Sequence, residues 1–359
     1  MSATAGRADA ELEAIVNRFF EQRCTTEVVS VAEREGMPSD LWDATEELGF
    51  TAVGIPEEAG GSGGSLEDAL AVHRAVGMHA VPLPIAEKYL AGWLIASAGL
   101  TIDARPATVV PSTSPLSLEV VDGRATGVVE DVPWGSRASV VVGLVESEGT
   151  GQNKVVLLDP ATATIRHGSD YANQPRDTLV FREAPVQVVP VSVSRVELTA
   201  RAGLVRAAQM VGAMNKTSAL TQKYTSERHQ FGRSIDSFPA VKEHLVVLAQ
   251  MAAMAELSVE RAADAASSAD GVFECLAAKL VTSENAEHAV RAAHQAHGAI
   301  GMTKEYPLHR YTRRLQAWRS EFGTVSELSK MIGHGAAGVS SIAHLVTADQ
   351  PHLSNLKGE

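Results

Sequence analysis

The sequence is poor in cysteine, in aromatic residues and in positive charge. Only Cys24 and Cys275 occur in 359 residues, far apart and without a CxxC pair. That excludes a disulfide framework and leaves no zinc spacing. Aromatics make up 5% of the chain, which, with alanine abundant, favours tightly packed helices over a β-sandwich. Lys and Arg number 31 against 43 Asp and Glu, a formal charge of −12. A nucleic-acid binder carries a basic face, and a polybasic membrane-docking protein needs one as well, so neither class is expected. Long apolar runs are missing too. LAGWLIASAGL (90–100) is too short to span a bilayer. The opening MSATAGRADAELEAIV has acidic residues and no apolar stretch of the secretory kind. A reducing cytoplasm is the expected location, and no metal site is expected from the cysteines.

What is there is ordinary globular material: 45% hydrophobic and 21% charged residues. The length calls for two or three packed units rather than one core. ELEAIVNRFFEQR (11–23) puts Leu12, Ile15, Val16 and Phe19 on one helical stripe. SDLWDATEEL (39–48) offers Ser39 as an N-cap. GIPEEAGGSGGS (54–65) is dense in glycine and reads as a mobile surface loop. Ser65 then caps a helix with Glu67 and Asp68 in its first turn. Pro82 and Pro84 bend the chain before IAEKYLAGWLIASAG. Between 106 and 191, short Val- and Leu-rich stretches alternate with Pro, Gly and Asp, the pattern of short strands and turns. From 195 the helical period returns, in stretches 201–228, 238–266, 273–299 and 326–346, the last with Gly333 as a candidate interruption. The expected fold is α+β, multidomain and mainly α. It comprises an N-terminal helical domain (1–105), a middle β-domain of short strands (106–194) and a C-terminal four-helix bundle (195–359).

Three segments, with the short RSEFGT (319–324), carry residues that chemistry could use. In RHQFGRSIDSFPAV (228–241), the Arg228 guanidinium could fork onto a phosphate and Phe231 could pack on a flat ring. The same residues also suit an interhelical turn, with Gly232 at positive φ and Arg228 closing a helix. In QAHGAIGMTKEYPLHRYTRR (295–314), Gln295 ends a helix and the glycines let backbone approach a ligand. His294 and His297 have a spacing that could suit a metal, but no third ligand is apparent. The third segment is the GIPEEAGGSG loop. In RSEFGT, Glu321 is either a proton acceptor or one more surface carboxylate.

In this order, the segments resemble the acyl-CoA dehydrogenase family. LGFTAVGIPEEAGGSGGS matches its I-P-E-E-x-G-G-x-G pattern, RHQFGRSIDSFP its R-x-x-F-G turn, QAHGAIGMTKEYPLHRYTRR its Q-x-x-G-G-x-G stretch, and EFGT approximates its E-G-T. The resemblance implies a non-covalently bound FAD and oxidation of an acyl-CoA thioester to the α,β-enoyl form. A carboxylate takes the α-proton, the β-hydride goes to the flavin, and an electron-transfer flavoprotein accepts the electrons. It places Arg228 at the FAD diphosphate and Phe231 at the adenine end. Gln295, Gly298, Ala299 and Gly301 face the FAD of a neighbouring subunit, and Thr324 lies by the flavin ribose or ring. Glu321 is the candidate base.

The chain departs from the family pattern in several places. The position directly before Gly-Thr is Phe322, with Glu321 one residue early. The base position of the other family branch falls on Ala202. Phe238-Pro239 stands where F-Q is usual, Ala299 replaces a glycine, and LTIDARPATVVPS takes the place of T-E-P-x-x-G-S-D. These losses resemble a subunit of the actinobacterial α2β2 heterotetramers acting on bulky, steroid-derived acyl-CoAs. The expected partners are therefore an acyl-CoA, an electron-transfer flavoprotein, and an unlike subunit or further copies of this chain. The alternative reading is a non-catalytic chain that completes the FAD or substrate site of its partner.

Overall fold

The computed structural model describes residues 8–113, 116–146, 152–266 and 271–337. They gather into two compact units. One joins His73–Val81 to the chain from Gly203 onward, and the other joins Arg7–Val72 to Pro82–Ala202.

The second of these units opens with helices α1 (Ala10–Arg23), α2 (Thr26–Glu35) and α3 (Ser39–Glu47). Asp9 caps α1 and Thr25 caps α2 through their side-chain oxygens. The buried stripe of α1 is Val16 and Phe20, while Ile15 is exposed. The sequence pattern put Ile15 on the core side. The helix is rotated because Phe20 packs against both Phe19 and Phe50, and a large ring gains more from burial than Ile15 does. Ser39 begins α3 but makes no cap, and Pro38 holds that place.

The glycine-rich segment 54–65 is not loose. Gly54 N–H donates to the Gly63 carbonyl at 2.7 Å, Gly63 N–H to Ile55 at 2.9 Å and Ser62 N–H to Ala52 at 3.0 Å. A Cβ at Gly61 would overlap the Ile55 carbonyl, so only glycine closes this coil. Ser65 follows as foreseen: its Oγ accepts from Asp68 N–H at 3.1 Å, and the Asp68 carboxylate accepts from Ser65 N–H at 2.8 Å. This cap starts α4 (Leu66–Met78), and α5 (Ile85–Ser97) begins right after Pro84.

Seven strands follow: β1 (Ala107–Val109), β2 (Leu116–Val121), β3 (Arg124–Pro133), β4 (Val140–Val145), β5 (Lys154–Leu158), β6 (Thr164–Arg166) and β7 (Arg176–Pro190). They form one sheet in the order β1-β4-β5-β7-β3-β2, with β6 also on β7. Only the β1–β4 pair is parallel. Asp122 and Gly123 both take positive φ between β2 and β3, which is the two-residue hairpin turn that matches strand twist. The sheet core is mostly aliphatic, built on Val129, Val132, Val141, Val156, Leu158 and Leu179 together with the ring of Phe181.

The long helix α6 (Arg195–Glu227) starts six residues earlier than the sequence pattern indicates, at a cap formed by Ser194 and Glu197. A two-stranded hairpin, β8 (His229–Gln230) and β9 (Arg233–Ser234), leads to α7 (Pro239–Ala265), which has Pro239 at its first position. Next come α8 (Gly271–His297), α9 (Leu308–Trp318) and α10 (Val325–Ala336). Helix α9 is an element the sequence pattern leaves unassigned, hidden by its run of arginines. Helix α10 passes through Gly333 without a break, and the rest of the 326–346 stretch lies outside the described residues. Among the described residues, no helix is long and apolar enough to cross a membrane.

Within the unit that joins His73–Val81 to the chain from Gly203 onward, α4 and α6 cross at glycines. A Cβ at Gly77 would overlap the Gln209 carbonyl, and one at Gly212 the Arg74 carbonyl. The Gly212→Ala variant is therefore expected to lose about 1–3 kcal/mol through forced separation of the helices. Urea unfolding measures this, and an unchanged midpoint would show that the crossing yields without cost.

Candidate functional site

The sequence-selected residues fall at two places along α6. At its C-terminal end, Arg228 closes the helix, its N–H bonded to the Tyr224 carbonyl at 2.9 Å. The β8–β9 turn then carries Phe231 and Gly232, both at positive φ. Phe231 is 90% exposed, an orientation that packing alone does not favour. Its ring meets Phe238 edge-on, with centroids 6.1 Å apart, and the Arg233 guanidinium lies 4.1 Å over the Phe238 ring. Among the described residues, neither Arg228 nor Arg233 forms an ion pair. Arg233 carries no motif in the sequence, and Phe238 is noted there only as a departure from F-Q. Their signal was the clustering of two arginines and two rings within eleven residues.

The second motif segment lies at the same end of this unit. His297 stacks on Tyr224 with centroids 4.7 Å apart, and Tyr306 leans on both rings. Tyr306 Oη also donates to the Leu220 carbonyl at 2.9 Å. This box ties the end of α8 to the end of α6. Burial holds the His294 and His297 imidazoles below the usual histidine range. His297 is a core residue, bonded through Nδ1 to the Ala293 carbonyl. On either side of it, Gln295, Gly298 and Ala299 are exposed. Gly298 takes φ +64 with open space where a side chain would stand. Gly301 is buried, and a Cβ there would press on His297. Thus Arg228, Phe231, Gln295, Gly298 and Ala299 share one end of the unit.

Glu321 and Thr324 do not join them. Glu321 pairs with Arg206, 22 residues before Arg228 on α6, which places the two about 33 Å apart along the helix. Thr324 is the N-cap of α10. Its Oγ1 donates to the Glu327 carboxylate at 2.8 Å and accepts from Glu327 N–H at 3.3 Å. Bonds from the Thr324 backbone and hydroxyl keep the Glu327 carboxyl below its usual range.

The turn between α9 and α10 is electrostatically dense. Arg206 Nη2 stands 2.8 Å from Glu321 Oε2 and both side chains are largely buried. The same guanidinium lies over the Trp318 ring at 5.2 Å and the Phe322 ring at 5.5 Å, and bonds Gln209 through Nη1. Phe322 is buried at φ +54 and Gly323 follows at φ +114. A bulky residue in the left-handed region costs roughly 1–3 kcal/mol, so its surroundings must hold it there. Lys279 on α8 is wholly buried beneath this turn. Its Nζ donates to Ser283 Oγ at 2.8 Å and to the Trp318 and Arg319 carbonyls at 3.0 and 3.2 Å. Burial pushes its amine down to about 7, opposed by Glu321 and reinforced by Arg206 and Arg319. Ala202, at the other candidate base position, is fully buried and offers no titratable group.

Residues 8–100 match the family model described as acyl-CoA dehydrogenase, N-terminal domain, and residues 198–336 match acyl-CoA dehydrogenase, C-terminal domain. The chain belongs to the acyl-CoA dehydrogenase family. Among curated family members it is 28% identical over 310 residues to acyl-CoA dehydrogenase IpdE2 of Mycolicibacterium smegmatis, covering 84% of this chain and 90% of that one. Among solved structures it resembles the ChsE4–ChsE5 complex from Mycobacterium tuberculosis at a TM-score of 0.84. Identity there is 21%, over 95% of this chain and 100% of the other. The Tcur3481–Tcur3483 steroid ACAD gives a TM-score of 0.81 at 22% identity, over 90% and 96%. These structural likenesses establish the acyl-CoA dehydrogenase fold, mainly helical with a small middle sheet.

Proposed function

We propose that this chain is one subunit of an FAD-dependent acyl-CoA dehydrogenase whose proton acceptor is supplied by an unlike partner chain. The observation that carries the reading is the Arg206–Glu321 ion pair. A carboxylate held 2.8 Å from a guanidinium is tied to that pair rather than presented to a substrate α-carbon. Phe322, in the position next to Gly-Thr, has no proton-accepting atom.

The residues at the end of α6 and α8 fit a dinucleotide. An exposed ring, two arginines without an ion pair among the described residues and an open left-handed glycine suit an adenine and a diphosphate. Arg228, Phe231, Gln295, Gly298, Ala299 and Gly301 would hold that end, with Arg233 added to the set. Thr324 would lie by the ring end of a flavin. Given the 33 Å or so between the two places on α6, one chain does not bring them to a single cofactor, which favours sites shared between chains. When bound, FAD supplies the hydride acceptor. The chain's own contribution is to bind and orient, while Arg206 pairs with Glu321 and Phe322 fills the turn.

An acyl-CoA is the substrate class, and a bulky, steroid-derived acyl group is favoured by the likeness to a structure described as a steroid ACAD. The likeness to a complex of two differently named chains favours an unlike partner over a homo-oligomer. An electron-transfer flavoprotein is the proposed electron acceptor. The test is a visible spectrum of the chain alone and after co-expression with a candidate partner. Flavin absorbance is expected only in the co-expressed complex, and none under either condition would sink the reading. In that complex, Glu321→Gln is expected to leave substrate-dependent flavin bleaching within about threefold of wild type. A loss of a hundredfold or more would make Glu321 the base after all.

A further inference from the structure

The buried amine of Lys279 has no part in the chemistry proposed above, yet it makes three hydrogen bonds. It lies on α8, and its three bonds go to one hydroxyl on its own helix and to two carbonyls at the end of α9. The last carbonyls of a helix lack intrahelical partners, and a donor placed there replaces them. Helix α6 passes the same spot without a side chain. A Cβ at Gly203 would stand 3.2 Å from Lys279 Cβ and 3.9 Å from the Phe322 carbonyl, so glycine leaves room for the lysine stem beside the turn. The charged groups that face the amine are Glu321, Arg206 and Arg319.

We propose that Lys279 is the positioning residue of the Arg319–Gly323 turn. By bonding the Trp318 and Arg319 carbonyls it fixes where α9 stops, and so where Phe322 is buried and where Thr324 begins α10. Arg206 holds the turn by its side chains, and Lys279 holds it by its backbone. The consequence for the flavin rests on the functional reading above: through Thr324, Lys279 sets the surroundings of the ring end of the cofactor.

Hydrogen–deuterium exchange on the full chain, co-purified with its partner, tests this. In wild type, the amides of Arg319, Ser320 and Glu321, bonded to Leu315, Ala317 and Trp318, should exchange as slowly as those of α9. Fast exchange there overturns the proposal without any variant. Lys279→Met is expected to speed exchange over 319–324 at least tenfold and leave α7 and α8 unchanged. Lys279→Gln, which keeps an N–H donor, should recover part of the protection. No change in Lys279→Met, or an equal rise across α7 and α8, overturns the positioning role. The flavin band of the same complex should shift or broaden in Lys279→Met, and faster exchange with an unaltered band overturns the flavin half. A wild-type complex without flavin counts against the functional reading instead, and leaves the exchange result to stand by itself.

Discussion

Replacing Arg206 with methionine is expected to cost about 3–5 kcal/mol of stability, because it removes one partner of a buried ion pair and leaves the other in place. Glu321 loses its guanidinium at 2.8 Å, and the rings of Trp318 and Phe322 lose the cation that covers them. Methionine preserves most of the volume, so packing is a minor part of the loss. The double variant Arg206→Met, Glu321→Gln should recover about half, since a neutral amide is less costly to bury than a carboxylate that has lost its guanidinium. Urea unfolding followed by tryptophan fluorescence reads both. A loss below about 1 kcal/mol, or no recovery in the double variant, would mean that the pair does not hold the turn.

Stability should also rise with pH across the window set by Lys279. Its amine is pushed down to about 7 in the folded chain, against an ordinary value of 10.5. Between those limits the unfolded chain binds the proton and the folded chain does not, so raising the pH favours folding. The contribution is complete above 10.5 and is lost as the pH falls through 7. Its size is on the order of a few kcal/mol. The chain carries a formal charge of −12, and growing self-repulsion at high pH works the other way. The comparison that isolates the lysine is therefore wild type minus Lys279→Met, measured by unfolding at several pH values from about 6 to 10. A difference that stays flat over this range would show that Lys279 remains charged when folded.

Much of the fold could be read from residues with one local job. Ser65 capped its helix, Pro239 opened α7, and the Val-rich stretches became the sheet. The misses share a cause: a contact distant in sequence outweighed a local pattern. Phe20 displaced Ile15 from the core of α1 because Phe50 lay opposite. Helix α9 was masked because arginine is read as exposed, whereas Arg310 and Arg314 are buried. The Gly-rich loop looked mobile because its hydrogen bonds are between backbone atoms, which composition does not report.

The candidate site was legible in a similar way. Arg228, Phe231, Gln295 and Gly298 were named from motif residues, and the Tyr224–His297 stack explains why two distant segments end up together. For Glu321, two readings fit the local letters equally well. What decides its surroundings is Arg206, 115 positions away, together with Lys279, which on a helical pattern looks like any other surface lysine. Neither carries a motif, and both act by burial.

Helix α6 works as a ruler. From Arg206 to Glu227 it is unbroken, and both the height and the direction of the β8–β9 hairpin are measured from the end that holds Glu321. Deleting one residue between them would shorten the gap by about 1.5 Å and swing the hairpin by roughly 100°. Point substitutions along this stretch can drift, but its length cannot. Any natural variation in the family line of this chain should therefore be found in the letters of that segment and not in their number.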